Sequence, residues 1–266
     1  KVSQLFDLSK FHLTLFDQRG CGKSTPQGFL KDNTTQDLIE DIEQIRQYLN
    51  IPAWHVMGSS WGATLSLLYG QKYPQRCLSF LLRGIFLGTL EEREWGKRGP
   101  SLFYPDLWED LCNQMHMCPD TGFDYLDLER KLNAHTTALS TAQAFCGYEY
   151  RISQFMPPPP SEETLPPEAE KMLITLAKIM VHYTKNNFFL KPNQILNNMS
   201  AISHIPATLI HGRYDMVCPL RYGYTLHKAW PRSCLRIIED ANHSGSQPSV
   251  SQVLQETIQK QFKENL

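Results

Sequence analysis

One pentapeptide restricts this chain more than any other feature. Gly58, Ser59, Ser60, Trp61 and Gly62 spell GxSxG directly after the apolar run Trp54 to Met57 and directly before a run of helical character, Trp61 to Tyr73. A strand that turns at once into a helix leaves little room, so the residues two before and two after the central serine are expected to lack bulk. The serine itself is expected in a strained backbone conformation that aims its hydroxyl outward. Ser60 is therefore the candidate nucleophile. The Trp61 amide, at the start of the helix, is the candidate donor to a developing oxyanion, helped by the helix dipole. The string alone also arises by chance, and its plain reading is a loop serine capping a helix. The flanking strand and helix favour the nucleophile, and Ser59, the competing hydroxyl, sits off the centre of the motif.

The surrounding text alternates. Phe11 to Phe16 reads as a buried strand running into a glycine-punctuated turn at Asp17 to Gly22. Thr34 and Asp37 have capping-box spacing, and Leu38, Ile42, Ile45 and Leu49 follow at helical spacing. Trp54 to Met57 then predicts a strand, Trp61 to Tyr73 a helix, and Cys77 to Leu82 a strand. This order favours an α/β fold with a mostly parallel sheet flanked by helices. After about Leu87 the alternation stops, and groups such as Leu107, Trp108, Leu111 and Leu173, Leu176, Ile179 predict an inserted helical cap. Within it, Met156 to Pro167 carries six prolines, which lack backbone donors and predict a surface loop. After Pro206 the alternation returns: strand Ala207 to His211, helix Leu220 to Ala229, strand Leu235 to Ile238, helix Val250 to Phe262. The expected organisation is core 1–87, cap 88–199 and core 200–266.

A serine hydroxyl needs a base, and after a strand–GxSxG–helix unit the partners follow in the order serine, acid, histidine, on loops after late strands. Asp215 lies on the loop after the strand at Ala207, and His243 on the loop after the strand at Leu235. Position selects these two from nine histidines and many acids. His211 precedes the acid at a strand terminus and is read as making a structural hydrogen bond. Asp215 could be a turn-capping aspartate, with Glu239 and Asp240 as fallback acids.

Composition narrows the partners. Lysine plus arginine (26) nearly balance aspartate plus glutamate (27), so no strong field attracts nucleic acid or an anionic membrane. Seven cysteines at irregular spacings, with no CxxC pair, read as reduced thiols in a cytoplasmic protein. No apolar run approaches the roughly 18 residues a membrane span needs.

The longer strings resemble the proline iminopeptidases, or prolyl aminopeptidases, serine peptidases of the α/β-hydrolase fold. Asp17 to Pro26 (DQRGCGKSTP), Asn33 to Asp37 (NTTQD), Gly58 to Leu65 (GSSWGATL), Leu82 to Leu87 (LRGIFL) and His211 to Pro219 (HGRYDMVCP) are similar to that family's signatures and run in its order. Leu226 to Pro231 (LHKAWP) and Asn242 to Ser244 extend the likeness. The resemblance implies release of N-terminal proline from short peptides through Ser60, His243 and Asp215, with no metal or other cofactor. It implies further that Glu149 helps hold the substrate's free amino group, that Arg83 organises the acidic residues, and that Phe86 lines the proline pocket. A buried ammonium needs an opposite charge and a pyrrolidine ring a small apolar slot.

The sequence also departs from that pattern. The family's glycine-rich HGGPG segment and the strands around it are expected to be missing, since Lys1 already lies beyond them. One oxyanion donor is then absent, at a cost on the order of a hundred- to a thousandfold in rate. Met180 stands at the family's second acidic position, Tyr148 where a tryptophan is usual and Ser59 where glycine is usual. Alternative readings are therefore a hydrolase of neutral esters or amides, or a catalytically impaired pseudo-hydrolase.

Overall fold

The computed structural model describes residues 2–159 and 164–263. In chain order its longer elements are α1 (Thr35–Tyr48), β1 (Trp54–Ser59), α2 (Trp61–Lys72), β2 (Cys77–Arg83), α3 (Leu90–Arg98), α4 (Pro105–Met115), α5 (Tyr125–Asn133), α6 (Ala138–Ser153), α7 (Pro167–Lys185), α8 (Gln194–Asn197), β3 (Ala207–Gly212), α9 (Leu220–Lys228), β4 (Ser233–Ile238) and α10 (Pro248–Lys263). They fall into two compact units. One holds Lys1–Phe16, Ala53–Phe86 and Met199–Leu266; the other holds Asp17–Pro52 and Leu87–Asn198. Residues 17–52, expected with the first core segment, thus cluster with the helical segment instead.

The first unit is built on a parallel sheet of order β1-β2-β3-β4. Successive side chains of a strand point to opposite faces, and both faces are used here. On one, Leu81, Ile210 and Ile238 join Val250, Leu254 and Ile258 of α10 in a buried cluster. On the other, Phe80 meets Trp230 edge-on at 5.3 Å between ring centroids, and the Trp230 indole donates to the Ile205 carbonyl at 2.9 Å. Helix α2 is buried from Ala63 to Gly70, which is why its sequence is apolar almost all round rather than striped.

The expected strand at Phe11 to Phe16 does not form: those residues take part in no described ladder. Phe11 still packs against the α10 cluster and meets Phe6 edge-on at 5.7 Å, whereas Leu15 and Phe16 are exposed. An apolar run supplies the side chains for a strand, but a strand exists only where a neighbour accepts its backbone hydrogen bonds.

In the second unit the predicted capping box opens α1: Asp37 N–H donates to Thr34 Oγ1 and Thr34 N–H to the Asp37 carboxylate. Arg19 pairs bidentately with Asp41, at 2.7 and 2.5 Å, and Asn33 spans the turn to the Phe29 and Arg19 carbonyls while accepting from the Tyr183 hydroxyl. The residues of DQRGCGKSTP and NTTQD that look diagnostic are thus occupied in holding a loop and a helix start. Helices α4 and α6 share an aromatic cluster of Trp108, Phe123, Phe145 and Tyr148. Of the proline-rich stretch, Met156 to Pro159 is loop as expected, while 160–163 lies outside the described residues. Pro167, expected in the loop, is the first residue of α7, a position where the missing N–H costs nothing and φ is already helical. No described helix is long and apolar enough to cross a membrane, and all seven cysteines are free thiols.

Candidate active site

The turn at the end of β1 has the strain its sequence predicts. Ser60 sits at φ 56°, ψ −123°, a region costly for a residue with a Cβ. It is held there by its neighbours: the Ser60 amide donates to the Arg83 carbonyl at 2.9 Å, and its own carbonyl accepts from Ala63 and Thr64 in the first turn of α2. The two flanking glycines are not equivalent. A Cβ on Gly58 would lie 2.2 Å from the Gly62 carbonyl oxygen and 2.4 Å from Ser66 Oγ, so bulk is excluded. A Cβ on Gly62 meets nothing within 4 Å, which corrects the expectation that this position is sterically closed. Close approach is needed at one end of the turn, because there the helix backbone passes over the strand.

Three residues far apart in the chain meet at the carboxyl ends of the parallel strands. Ser60 Oγ is 3.0 Å from His243 Nε2, and His243 Nδ1 is 2.8 Å from Asp215 Oδ2. Asp215 is inaccessible to solvent, and its other oxygen accepts from the Val217 amide at 3.1 Å and the Cys218 amide at 2.7 Å. Burial pushes the carboxyl's pKa up; the charge and hydrogen bond of His243 and the Cys218 amide outweigh it, leaving the group below its ordinary value. The acid is therefore an anion well into the acid range, able to fix the imidazole with Nδ1 protonated and Nε2 free to accept.

Residues beside the three reacting ones hold this arrangement. The side-chain oxygen of buried Asn242 accepts from the Met216 amide at 2.9 Å and the His243 amide at 2.7 Å, tying the acid's loop to the histidine's. Tyr214 N–H adds a bond to the Ala241 carbonyl at 2.9 Å. His211, wholly buried, donates from Nε2 to the Cys218 carbonyl at 2.7 Å and accepts from the Ile85 amide at Nδ1. Burial keeps its pKa below the ordinary 6.5 despite the nearby Asp215, so it is the neutral structural histidine the sequence suggests. Gly84, at φ 55°, lies against the ring of His243. Asn242 and Gly84 stand within the strings Asn242 to Ser244 and LRGIFL, but nothing in the sequence gives either one a role in the site.

Among the described residues, Asp215, Cys218 and His243 also bring three metal-type donor atoms within 4.8 Å of one another. Two of them share the 2.8 Å hydrogen bond, closer than the ~3.3 Å that tetrahedral zinc with bonds of about 2.0–2.1 Å would demand. The set fits a shared proton better than a cation.

The remaining predicted residues are divided between the two units. Trp61 is the first residue of α2. Arg83 ends β2, and its guanidinium donates to Ser59 Oγ and the His243 carbonyl. Phe86, three residues on, is half-buried, and its carbonyl accepts from Thr64 Oγ1 at 2.7 Å. Glu149 belongs to α6 in the other unit, where its charge adds to burial in raising the Tyr125 hydroxyl and in pushing the Cys146 thiol up to about 12. Met180 is half-buried on α7 of that same unit. A groove of about 990 Å³ in the second unit, between α4, α6 and α7, is lined by Tyr148, Arg151 and Glu170 among others and by none of the residues around Ser60.

A parallel sheet carrying a strained serine, a histidine and a buried aspartate on the loops at its carboxyl end defines a class: residues 2–246 match the α/β hydrolase fold family, to which this chain belongs. An α/β fold family hydrolase from Bacillus anthracis superposes with a TM-score of 0.59 over 94% of this chain and 80% of that one, at 17% identity, and speaks for the fold alone. Within the class, the chain is a member of the proline iminopeptidases. It is 38% identical over 253 residues to the proline iminopeptidase of Arabidopsis thaliana, covering 93% of this chain and 66% of that protein. It is equally 38% identical to the proline iminopeptidase of Xylella fastidiosa strain 9a5c, of which it covers 80%. The chain thus spans just under two thirds of the length of the plant relative.

Proposed function

We propose that this chain releases N-terminal proline from short peptides through a prolyl-enzyme intermediate on Ser60. The observation that carries the reading is the unbroken run of hydrogen bonds from Ser60 Oγ through His243 to Asp215, starting at a serine whose backbone is strained. Ser60 Oγ attacks the carbonyl carbon of the first residue while His243 Nε2 takes the hydroxyl proton. Asp215 stabilises the imidazolium without taking a proton itself. The tetrahedral oxyanion is met by the Trp61 amide. His243 then protonates the departing amine, and the reverse sequence with water frees proline and restores the serine. Glu149 is assigned to the substrate ammonium and Phe86 to the pyrrolidine ring, by likeness to the family's motifs.

Prolyl-2-naphthylamide supplied to the wild-type protein and to Ser60→Ala tests the reading. Naphthylamine release by the wild type and its loss in the variant are expected; equal rates would remove Ser60 as nucleophile. A second reading, hydrolysis of neutral esters or amides, is motivated by Met180, which places a thioether where relatives of this kind are expected to have a carboxylate. Relative rates on proline amides and short acyl esters separate the two, and Met180→Glu should shift the balance toward amines.

A further inference from the structure

Arg83 stands level with Ser59 in the register of β1 and β2. One arm of its guanidinium donates to Ser59 Oγ, the other to the backbone carbonyl of His243. Its Nε lies beside Gly245, where an added Cβ would approach to 3.3 Å. One rigid, planar, permanently charged fork therefore grips both the residue before the proposed nucleophile and the residue carrying the proposed base. The two loops have separate origins, one from the end of β1 and one from the end of β4. Asn242 fixes the amide of His243 to the acid's loop; Arg83 fixes its carbonyl to the strand end that leads into Ser60. The 3.0 Å separation of Ser60 Oγ and His243 Nε2 spans these two loops.

The serine at position 59 matters because a buried cation must have its donors matched. Burial disfavours the Arg83 charge and the nearby Asp215 carboxylate favours it. A glycine at 59 would leave one arm of the fork without this acceptor.

We propose that Arg83 and the Ser59 hydroxyl form a clamp that positions His243 against Ser60. The clamp rests on the hydrolase reading above and differs from the role the family resemblance implies for Arg83, which is to organise acids around the substrate's amine. The two roles have opposite kinetic signatures. A clamp acts on the base, so loosening it slows acyl transfer for every substrate and leaves binding alone. An amine organiser acts on recognition, so its loss raises KM for prolyl substrates and spares substrates without an amine.

The test measures kcat and KM for wild type, Ser59→Ala, Ser59→Thr and Arg83→Lys on prolyl-2-naphthylamide and on p-nitrophenyl acetate, with Ser60→Ala as blank and urea unfolding as a check on the fold. Ser59→Ala is expected to lower kcat about tenfold on both substrates, the scale of one lost hydrogen bond to a charged group. KM should stay within about twofold. Ser59→Thr, which keeps the hydroxyl, should recover most of the rate. Arg83→Lys, which cannot reach both partners at once, is expected to lose about a hundredfold, as for a base displaced by about 1 Å. An unchanged kcat in Ser59→Ala, or a defect confined to KM for the prolyl substrate, overturns the clamp and leaves the hydrolase reading standing. Equal rates for wild type and Ser60→Ala on both substrates would bring down that reading and the clamp together.

Discussion

Gly84→Ala is the sharpest perturbation of the site that avoids all three reacting residues. At φ 55° an alanine is disfavoured by roughly 1–2 kcal/mol on backbone grounds alone. Its Cβ would then stand 3.0 Å from His243 Cε1 and 3.2 Å from Nδ1, against the ~3.5–4.0 Å at which carbon atoms rest comfortably. Residue 84 cannot back away freely, because it continues β2 and its amide donates to the Ile210 carbonyl at 3.0 Å. The imidazole must therefore yield by several tenths of an ångström, with the hydrogen bonds of 2.8 Å to Asp215 and 3.0 Å to Ser60 at stake on its two sides. Since a misplacement of about 1 Å costs on the order of a hundredfold, a fall in kcat of about 10- to 100-fold is expected, with KM for prolyl-2-naphthylamide little changed. Urea unfolding should register the backbone cost as a loss of about 1–2 kcal/mol. A variant with full kcat and the expected loss of stability would refute the reasoning, for it would mean that the ring's position, as fixed by these contacts, does not control the rate.

Other consequences are measurable separately. Asp215→Asn removes the acceptor that sets the His243 tautomer, and kcat should fall by roughly 10³–10⁴-fold while the protein still folds. His211 carries a pKa held below 6.5 by burial, so below that pH the unfolded chain takes up a proton that the native state refuses. Stability should accordingly decline as pH drops through 6.5, by up to about 1.4 kcal/mol per pH unit for this group, with His55 acting in the same direction and Asp215 adding its loss only below its ordinary 3.8. Urea titrations between pH 5 and pH 7.5 on wild type and His211→Gln check it, the variant showing the shallower slope. The buried hydroxyl of Tyr148 has no hydrogen-bond partner among the described residues, so Tyr148→Phe should raise stability by about 1 kcal/mol in the same assay.

What the amino-acid order determined on its own was local or ordinal. A glycine whose added Cβ would lie 2.2 Å from a facing carbonyl oxygen, a serine between a strand and a helix, a threonine and an aspartate at capping distance, and an aspartate and a histidine each just past a late strand all lie within a few residues of the feature they explain. Such signals survive in a linear text because the geometry they serve is set by neighbouring backbone. The tertiary structure alone decided the rest. Whether Phe11 to Phe16 becomes a strand depends on a ladder partner, which no side-chain pattern can supply. Residues 17–52 read as part of an α/β core but pack with the helical unit, because the partners of Asn33, Thr35 and Gln36, namely Tyr183, Phe188 and Phe189, are written about 150 positions away in the chain. What Arg83 and Asn242 bind stays hidden in the sequence until the fold brings a carbonyl or an amide 160 or 26 positions away into reach. Periodicity reports which face a residue turns inward; only packing reports what it meets there, and in this chain the precision of the serine, histidine and aspartate depends on those meetings.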